Sequence, residues 1–390
     1  MAAQALTSLD ELTPAWLTGV LQESGHLGNA QVSSLEVDEI GVGRGYVGLT
    51  LRLRPRYDQH VDRAPSSLVA KLPTFVEWPA ELIPLIDLLY TTEIRWYETL
   101  RERCPLAVPG FVWAAMDAPN HRYCLLLEDM GSLRVADQVG SCSLEDATLA
   151  VRELGRLHAA HWNDEASLSH DWLPGLALMS MFSQMVYLGG WEKFWAHLGP
   201  SLPGEFASVG AAIGPAMGSL LELMERDGRT LVHGDYRLEN FMFREDGSLV
   251  VLDWQLAHAG GGAQDLAYFL SQNLTVEARR EHQESLIDTY FGELVAGGVA
   301  DYSREQLMRD FRAGLLVAMT IPVNGIRTLD DVTESGGGVT TEEERALLER
   351  ALASGLQLVT TMSERNVAAI FDNDAHLLLQ ELAASRASSS

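Results

Sequence analysis

The stretch LVHGDYRLENFMFREDGSLVVLDWQL, residues 231–256, constrains the fold of this chain more than any other segment. It places His233, Asp235 and Asn240 in a short polar loop, and it reaches a fourth polar residue, Asp253, directly after the apolar run LVVL. A run of four apolar residues next to turn signals indicates a short buried strand. Such a strand would bring the Asp253 carboxylate to the same edge as the loop that holds Asp235 and Asn240.

The spacing of these residues fits the H-x-D-x-x-x-x-N loop of phosphoryl-transfer enzymes, in which the Asp orients a substrate hydroxyl and the Asn binds magnesium. We therefore predict that Asp235 is catalytic and that Asn240 and Asp253 are metal ligands, because Mg²⁺ prefers one or two carboxylates completed by phosphate and water. Arg237 is predicted either to neutralise charge on the transferred phosphate or to hold the loop by pairing with Glu239.

Three other segments carry a family resemblance: YCLLLEDMG at 123–131, LGRLHAAHW at 154–162 and GAQDLAYFL at 262–270. With HGDYRLENFMF and VVLDWQ, they resemble the aminoglycoside phosphotransferase and choline kinase superfamily, within it the ecdysteroid kinase-like branch, over residues 40–270. The resemblance implies an α+β, protein-kinase-like fold with two lobes, a small antiparallel-sheet N-lobe and a large, mostly helical C-lobe. It also implies ATP and Mg²⁺ as cofactors and a small hydroxylated molecule as phosphoryl acceptor.

Two further residues of this region are predicted to support the loop, and the segment after Asp253 departs from the protein-kinase pattern. His233 is predicted to brace the backbone near Asp253, and Asp265 to stabilise the loop rather than to touch substrate. Asp253 is followed by Trp254 and Gln255 where protein kinases have D-F-G, and no A-P-E segment follows. This departure argues against protein kinase activity and against an activation switch based on a Phe side chain.

A glycine cluster spells G-x-G-x-x-G from Gly43 through Gly45 to Gly48. Such glycines let backbone amides approach phosphates, and we predict that they bind the nucleotide. The alternating segment LTLRLR that follows indicates a strand, whereas a dinucleotide-binding fold requires a helix at this point. A hairpin that binds no ligand remains the alternative.

Lys71 lies in an apolar segment, LVAKLP, that reads as the next strand, and it is one of only two Lys residues in the chain. We predict that it reaches the nucleotide phosphates, as a kinase strand Lys does, and that a Glu holds it in place. Glu93 is the preferred partner and Glu98 the second choice. From the resemblance, backbone groups near Glu128 and Met130 are expected to bind adenine at the hinge between the lobes.

The predicted domains are a nucleotide-binding lobe over 1–130, a catalytic and substrate-binding helical lobe over 131–384 and a disordered tail over 385–390. Helical periodicity is predicted over the segments 9–24, 78–103, 175–228, 275–297, 303–320 and 341–384, and from a Ser-x-x-Asp cap at Ser143. Strands are predicted within 35–72 and over 123–127, and a glycine-rich loop over 335–341.

Composition narrows the class of partner. The chain of 390 residues has 47% apolar and 21% charged residues, a net charge of -26 and three well-separated cysteines. Acidity argues against nucleic acid or an anionic membrane as partner, and no apolar run approaches the roughly 18 residues of a membrane span. With a start that lacks the features of a secretory signal, these observations predict a cytoplasmic protein of open oligomeric state.

The function predicted is an ATP- and Mg²⁺-dependent small-molecule O-phosphotransferase. The acceptor stays open among an antibiotic, a sugar or amino alcohol, and a steroid-like alcohol. The alternative is a catalytically inactive, kinase-like binding or scaffold protein. Met and aromatic residues within 179–195 could line an acceptor pocket or simply pack, and His158 and His161 are predicted to pack in the core rather than to bind metal.

Overall fold

A computed structural model describes residues 4–40, 48–74, 83–131, 133–335 and 341–389. The chain divides into two compact units, one of Met1–Glu102 and Val108–Leu133 and the other of Arg103–Ala107 and Arg134–Ser390. Gly43 and Gly45, predicted to bind nucleotide, lie outside the described residues, as do 78–82 of one predicted helix and most of the predicted loop over 335–341.

The first unit is built on a five-stranded antiparallel sheet. Its strands are β1 (Val32–Glu39), β2 (Gly48–Tyr57), β3 (Leu68–Pro73), β4 (Phe111–Asp117) and β5 (Arg122–Glu128), in the order β1-β2-β3-β5-β4. Helix α1 (Pro14–Glu23) packs on β1 and β4, and helix α2 (Ile83–Thr99) packs on β4 and β5. Because a strand and not a helix begins at Gly48, the chain lacks the element that a dinucleotide-binding motif requires there.

The alternation of Leu and Arg in β2 gives the strand one buried face and one partly exposed face, as predicted. Leu51 and Leu53 are buried, whereas Arg52 and Arg54 between and beside them stay partly exposed. The buried leucines pack with residues of α1 such as Leu17, which is fully buried. Each buried leucine stabilises the fold by about 1.5–3 kcal/mol, so this apolar face fixes the register of the strand.

The second unit is mostly helical. Its helices are α3 (Leu144–Ala160), α4 (Glu165–Leu168), α5 (Leu176–Leu198), α6 (Phe206–Glu225), α7 (Ala263–Asn273), α8 (Val276–Ala296), α9 (Arg304–Val317), α10 (Thr320–Ser335), α11 (Glu342–Asp372) and α12 (Ala375–Ser389). Its short strands are β6 (Arg134–Val135), β7 (Thr230–Val232), β8 (Phe241–Phe243), β9 (Leu249–Val251) and β10 (His258–Gly260). Strand β7 pairs with β10, and β8 pairs with β6 and β9.

The start of α3 agrees with its predicted cap. The Ser143 hydroxyl accepts a hydrogen bond from the Asp146 backbone N–H at 3.1 Å, which satisfies one of the unpaired donors of the first turn. The Asp146 carboxylate does not complete a capping box, because it pairs with Arg134 at 2.7 Å.

Among the described residues, one helix, α6, is long and apolar enough to cross a membrane by length and composition. It packs against α5 and α9 inside the second unit. Gly210 on α6 permits the contact with α5, since a Cβ at that position would collide with the Trp191 ring. The apolar character of α6 therefore serves helix packing, although the sequence suggested no apolar segment of this length.

Three predictions of secondary structure were wrong in detail. The helical region predicted over 175–228 is interrupted between α5 and α6, where Gly199–Ser201 form a short 3-10 turn. Helix α10 was not predicted; it has Pro322 in its first turn, where a proline costs little, since those N–H groups lack helical acceptors. Helix α12 continues through 385–389, which had been assigned to a disordered tail.

Candidate active site

The loop that carries Asp235 runs from β7 to β8, and its first turn depends on Gly234. Gly234 has φ +82°, in the left-handed region that glycine adopts without strain, and a Cβ there would collide with the Leu256 carbonyl oxygen. The pairing of β7 with β10 brings the start of this loop next to residues 256–260. Glycine is therefore required at 234 for both conformation and space.

Asp265, near the start of α7, fixes the loop by accepting hydrogen bonds from its backbone. Its Oδ2 accepts the His233 backbone N–H at 2.7 Å, and its Oδ1 accepts the Gly234 N–H at 2.9 Å. His158 Nε2 lies 3.4 Å from Oδ2. Burial alone would raise the pKa of Asp265, but the hydrogen bonds from His158 and the backbone lower it below its usual value, so the carboxylate stays charged. The predicted role of Asp265 in stabilising the loop is confirmed.

His233 braces the backbone before Asp253, as predicted. Its Nε2 lies 3.0 Å from the Leu252 carbonyl oxygen, and its Nδ1 lies 3.2 Å from the Asp235 backbone N. Because a carbonyl only accepts and an N–H only donates, the ring carries its proton on Nε2 and accepts at Nδ1. The imidazole thereby connects the Asp235 loop to the segment that leads into Asp253.

The Asp235 carboxylate is 9% exposed and is oriented by three donors. Its Oδ2 accepts Asn240 Nδ2 at 2.8 Å and Arg237 Nε at 3.1 Å. Its Oδ1 accepts the Tyr268 hydroxyl at 3.1 Å. Since each carboxylate oxygen can accept about two hydrogen bonds, Oδ1 retains capacity for one more donor, such as an incoming hydroxyl.

Arg237 is paired with two acids of its own loop. Besides Asp235, its guanidinium contacts Glu239 at 2.9 Å, which is the loop-holding contact given as one of its two predicted roles. Burial alone would lower the pKa of Arg237, but the carboxylates of Asp235, Glu239 and Asp253 raise it further, so the group is a permanent cation. A role at the transferred phosphate stays a prediction.

Asn240 and Asp253 offer oxygen atoms suited to a hard cation. The Asn240 amide nitrogen donates to both the backbone and the side chain of Asp235, so the carbonyl oxygen is the atom that Asn240 can offer to Mg²⁺. The Leu252 N–H donates to the Asn240 backbone carbonyl oxygen at 2.9 Å, so Asp253, the next residue after Leu252, lies close to Asn240. Asp253 has φ +65°, a strained conformation for a residue with a Cβ and one found at functional sites.

These two residues fit a nucleotide-bound magnesium ion, which needs only one or two protein oxygens. In the part of the chain that the structure describes, no group of three His, Cys, Asp or Glu side chains could hold a metal by itself. His158 and His161, the other histidine pair considered, are buried and bonded to Tyr290 and Ser167.

In the first unit, Lys71 on β3 contacts Glu93 on α2. The Lys71 Nζ to Glu93 Oε1 distance is 2.6 Å, and the two side chains are 20% and 3% exposed. Glu98, the second-choice partner, pairs with Arg95 instead at 2.9 Å. The preferred pairing is therefore present, while the contact of Lys71 with nucleotide phosphates stays a prediction.

The remaining predicted nucleotide contacts also lie in the first unit. The Glu128 N–H donates to the Gly110 carbonyl at 2.8 Å, and the Glu128 carboxylate accepts the Gly110 N–H at 3.1 Å. The Met130 carbonyl accepts the Leu133 N–H at 3.1 Å. Gly48 begins β2, and a Cβ there would collide with the Tyr90 hydroxyl. Glu128 thus braces a turn with its side chain, and adenine binding by backbone groups here stays a prediction.

A cavity of about 70 Å³ lies within the second unit beside Asp235. Gly234, the neighbour of Asp235, and Tyr268, whose hydroxyl contacts its carboxylate, both form part of the wall. The other lining residues are Met179, Phe182, Ser183, Leu256, His258, Gln264, Asp265, Val317, Ala318, Thr320 and Ile321. Of the Met and aromatic residues considered for an acceptor pocket, Met179 and Phe182 line it, while Tyr187, Trp191 and Phe194 pack in the core.

Several residues of this region were not singled out from the sequence. Tyr268 lies three positions after Asp265, on the same face of α7, and that spacing is the signal that could have indicated it. His258, Gln264 and Thr320 come from separate segments, and only the fold shows that they share a wall.

The kinase-type loop, the helical second unit and the antiparallel sheet define a protein-kinase-like fold of the class that includes small-molecule phosphotransferases. A sequence model of the ecdysteroid kinase-like family matches residues 43–298, more than half of the chain. The chain therefore belongs to the ecdysteroid kinase-like family. No curated protein sequence is significantly similar to it.

Two solved structures illustrate the shared fold. Choline kinase from Cryptosporidium parvum Iowa II has 12% sequence identity and a TM-score of 0.50, and the match covers 90% of this chain and 96% of that one. A mutant of aminoglycoside 2'-phosphotransferase IIIa, solved as a GDP complex, has 12% identity and a TM-score of 0.52, with 91% and 98% covered. At such low identity these matches show the fold alone.

Proposed function

We propose that this chain transfers the γ-phosphate of ATP to a hydroxyl group of a small molecule, with Asp235 as the catalytic residue. The observation that carries the proposal is the setting of the Asp235 carboxylate. It is nearly buried, three donors fix its orientation, and one oxygen keeps capacity for a further hydrogen bond, while Gly234 and Tyr268, which adjoin Asp235, line a cavity. This arrangement suits a group that must receive a hydroxyl proton in a defined direction.

In this mechanism, Asp235 Oδ1 accepts a hydrogen bond from the acceptor hydroxyl and takes its proton as the oxygen attacks phosphorus. Asn240, Arg237 and Tyr268 keep the carboxylate in place throughout. Since protein contributes to phosphoryl transfer mainly by positioning and charge, the rigid loop is a large part of what the chain supplies.

The Asn240 carbonyl oxygen and the Asp253 carboxylate would hold Mg²⁺. When bound, the ion neutralises charge on the phosphate oxygens. The strained backbone at Asp253 supports this assignment, because strain persists where the surrounding structure fixes a functional group. The family membership and the kinase-type loop support ATP as the phosphoryl donor.

Lys71, held by Glu93, would bind the α- and β-phosphates, and the Gly43, Gly45 and Gly48 segment would cover them. The Met130 backbone N–H and the Glu128 carbonyl are the groups proposed to bind the base. One relative in fold was solved with GDP, so both ATP and GTP need to be offered as donors.

The test is release of ADP or GDP by the purified protein with a panel of sugars, amino alcohols, aminoglycosides, macrolides and sterol-like alcohols. Asp235→Asn keeps the size of the side chain and removes the base, and we expect turnover to fall by roughly 10²–10⁴-fold. Asp246→Asn is the matched control, because Asp246 lies in an exposed turn between β8 and β9.

Acceptor-dependent turnover that is equal in the wild type and Asp235→Asn would refute the assignment. Nucleotide binding without turnover for any acceptor in the panel would favour the inactive, kinase-like binding protein instead. Turnover that Asp246→Asn lowers as strongly as Asp235→Asn would indicate a general effect of charge and not catalysis.

A further inference from the structure

The last residue of α7, Asn273, supports the loop between β7 and β8. It is fully buried, and its side-chain Oδ1 accepts the Leu238 backbone N–H at 2.9 Å. Leu238 begins the 3-10 turn that ends at Asn240, the residue proposed to bind Mg²⁺. The first N–H groups of a helical turn have no acceptor within the turn, so Asn273 supplies an acceptor that the turn itself lacks.

Helix α7 therefore holds the loop at three places. Asp265 binds the start of the loop, and Tyr268 donates to the Asp235 carboxylate. Asn273 binds the turn further along. From Asp265 to Asn273 the helix rises about 12 Å, at about 1.5 Å per residue. A displacement of α7 would disturb all three contacts, so the position of α7 determines the position of the loop.

The C-terminal end of α7 is in turn held by Asn366, a residue of α11. Asn366 Oδ1 accepts the Ser271 hydroxyl at 2.7 Å and the Gln272 side-chain Nε2 at 3.1 Å, and all three residues are fully buried. Asn366 Nδ2 donates to the Leu315 carbonyl oxygen of α9 at 2.9 Å. A carbonyl oxygen only accepts, so these partners fix which way the Asn366 amide faces.

Arg365, the neighbour of Asn366 on α11, makes a second connection to the same end of α7. Its guanidinium donates to the carbonyl oxygens of Gln138 and Val139 at 2.8 and 2.7 Å, and to that of Gln272 at 3.4 Å. The last carbonyl groups of a helix have no partner within it, and a cation there is favourable. Helix α11 thus binds both side-chain and backbone atoms at the end of α7.

The polar character of α11 at this point is informative. Asn is a weaker helix former than Leu, and a buried amide costs free energy unless its hydrogen bonds are made. Both polar atoms of the Asn366 side chain have partners on other helices. A buried polar network that is satisfied fixes one arrangement of the elements that it joins, which apolar packing does with less directional constraint.

We propose that Asn366 is a positioning residue for phosphoryl transfer, which acts through the end of α7 on the turn that carries Asn240. Asn273 is a second positioning residue, because it makes the contact with that turn. The ecdysteroid kinase-like family model ends at residue 298, before α11 begins, so this support comes from outside the matched region. The inference rests on the proposed function, since Asn240 binds Mg²⁺ only under that function.

Amide hydrogen exchange of the full-length protein tests the inference without requiring turnover. Mass spectrometry with fragmentation that resolves single amides measures exchange of the Leu238 N–H. Asn273→Leu removes the acceptor of this N–H at similar volume, and Asn366→Leu removes the anchor of α7. We expect Leu238 exchange to become at least about tenfold faster in Asn273→Leu and at least about threefold faster in Asn366→Leu.

Asn373→Leu is the matched control. Asn373 directly follows α11 and accepts a hydrogen bond from Gln283 of α8 at 2.7 Å, so the same substitution removes a comparable contact away from α7. Leu238 exchange should stay within about twofold of the wild-type rate in this variant. Ser271→Ala removes only one donor to Asn366 and should raise the exchange rate less, and it replaces Asn366→Leu if thermal unfolding shows that variant to be unfolded.

Kinetics separate positioning from general stability. Asn366→Leu and Asn273→Leu should lower kcat at least about fivefold and raise the Mg²⁺ concentration needed for half-maximal turnover, because the turn with Asn240 is displaced. KM for the acceptor should change little. Asn273→Asp keeps an acceptor oxygen for Leu238 and should restore most of the turnover, whereas Asn373→Leu should behave as the wild type.

Unchanged Leu238 exchange in folded Asn366→Leu and in Ser271→Ala overturns the inference, as does an equal rise in Asn373→Leu. Wild-type kcat and Mg²⁺ dependence in Asn366→Leu also overturn it. Failure of the proposed function looks different: a wild type with no turnover, but with the expected exchange in every variant, refutes the kinase function and leaves the support of the loop by Asn366 in place.

Discussion

The loop that carries Asp235 and the wall of the cavity both belong to the second unit, but charged groups dominate the loop and apolar groups dominate the wall. In the loop, Asp235 and Asp265 each have several donors supplied by the chain itself. In the wall, His258 contacts the Leu256 carbonyl and Gln264, and much of the remaining surface comes from apolar side chains such as Met179 and Phe182. The hydrogen bonds that orient Asp235 and Asp265 come from the chain itself, whereas the wall offers mainly apolar surface, so under the proposed function the loop would serve the chemistry and the wall would contact the acceptor.

The largest effect is expected for Asp265→Asn, which alters the hydrogen bonds that hold the backbone of the Asp235 loop. The substitution places an NH₂ group or a weaker acceptor against the N–H groups of His233 and Gly234, and we expect a loss of roughly 2–4 kcal/mol in the free energy of unfolding at pH 7. Denaturant unfolding measures it. Asp301→Asn, at an exposed position, is the control and should change stability by less than about 0.5 kcal/mol.

The destabilisation caused by Asp265→Asn should depend on pH in a defined direction. The pKa of Asp265 is lowered in the folded state, so its charge stabilises the fold above the unfolded pKa of about 3.9, and this contribution is lost as pH falls through the lower folded value. The stability difference between wild type and Asp265→Asn should therefore narrow below about pH 4. A difference that stays constant down to pH 2 would mean that the Asp265 charge is not the cause.

The next largest effect concerns the nucleotide. Lys71→Met removes the cation held by Glu93 and should lower kcat/KM for ATP by roughly tenfold to a hundredfold, the value of a charge-assisted hydrogen bond. The chain supplies a natural control in its only other Lys, because Lys193 is partly exposed and pairs with Asp331. Equal kinetics for Lys71→Met and Lys193→Met would contradict the phosphate role.

A smaller effect is expected for Tyr268→Phe, which removes one of three donors to Asp235. Turnover should fall by roughly twofold to tenfold with little change in KM for ATP, since one neutral hydrogen bond contributes about 0.5–1.5 kcal/mol. Tyr187→Phe also removes a buried hydroxyl, one that donates to Gly210 at 2.9 Å, and should leave turnover unchanged. If both variants lose the same activity, the Tyr268 contact has no specific role.

The smallest expected effect concerns an apolar residue that lines the cavity. Met179→Ala removes an apolar lining residue and should raise KM for the acceptor by roughly twofold to fivefold, the value of partial burial of a side chain. Met181, on the same helix but 63% exposed, is the control. A changed KM for ATP in Met179→Ala, with none for the acceptor, would show that the cavity does not receive the acceptor.

The loop was predictable from the sequence because its residues are close together along the chain. In the structure, one loop carries His233, Asp235 and Asn240, and a short strand precedes Asp253, as predicted. The family resemblance also predicted the kinase-like fold. Patterns among residues close together along the chain therefore predict secondary-structure elements and the chemistry expected of a family.

The wall was not predictable because its residues come from distant segments. His258 and Thr320 lie more than sixty positions apart, on β10 and α10, and α10 itself was not predicted. Strand β4 was also missed, since FVWAAMD is apolar at nearly every position and shows no clear alternation. Which residues line a cavity together is a property of packing, and no single segment reveals it.

The most direct test of phosphoryl transfer at Asp235 is detection of the product. After incubation of the wild type, Asp235→Asn and Asp246→Asn with ATP, Mg²⁺ and the acceptor that gives the highest ADP release, ³¹P NMR would identify a phosphate monoester. We expect the monoester from the wild type and Asp246→Asn, and none above background from Asp235→Asn. Monoester formed at the same rate by Asp235→Asn, or ADP formed with only inorganic phosphate as the second product, would contradict it.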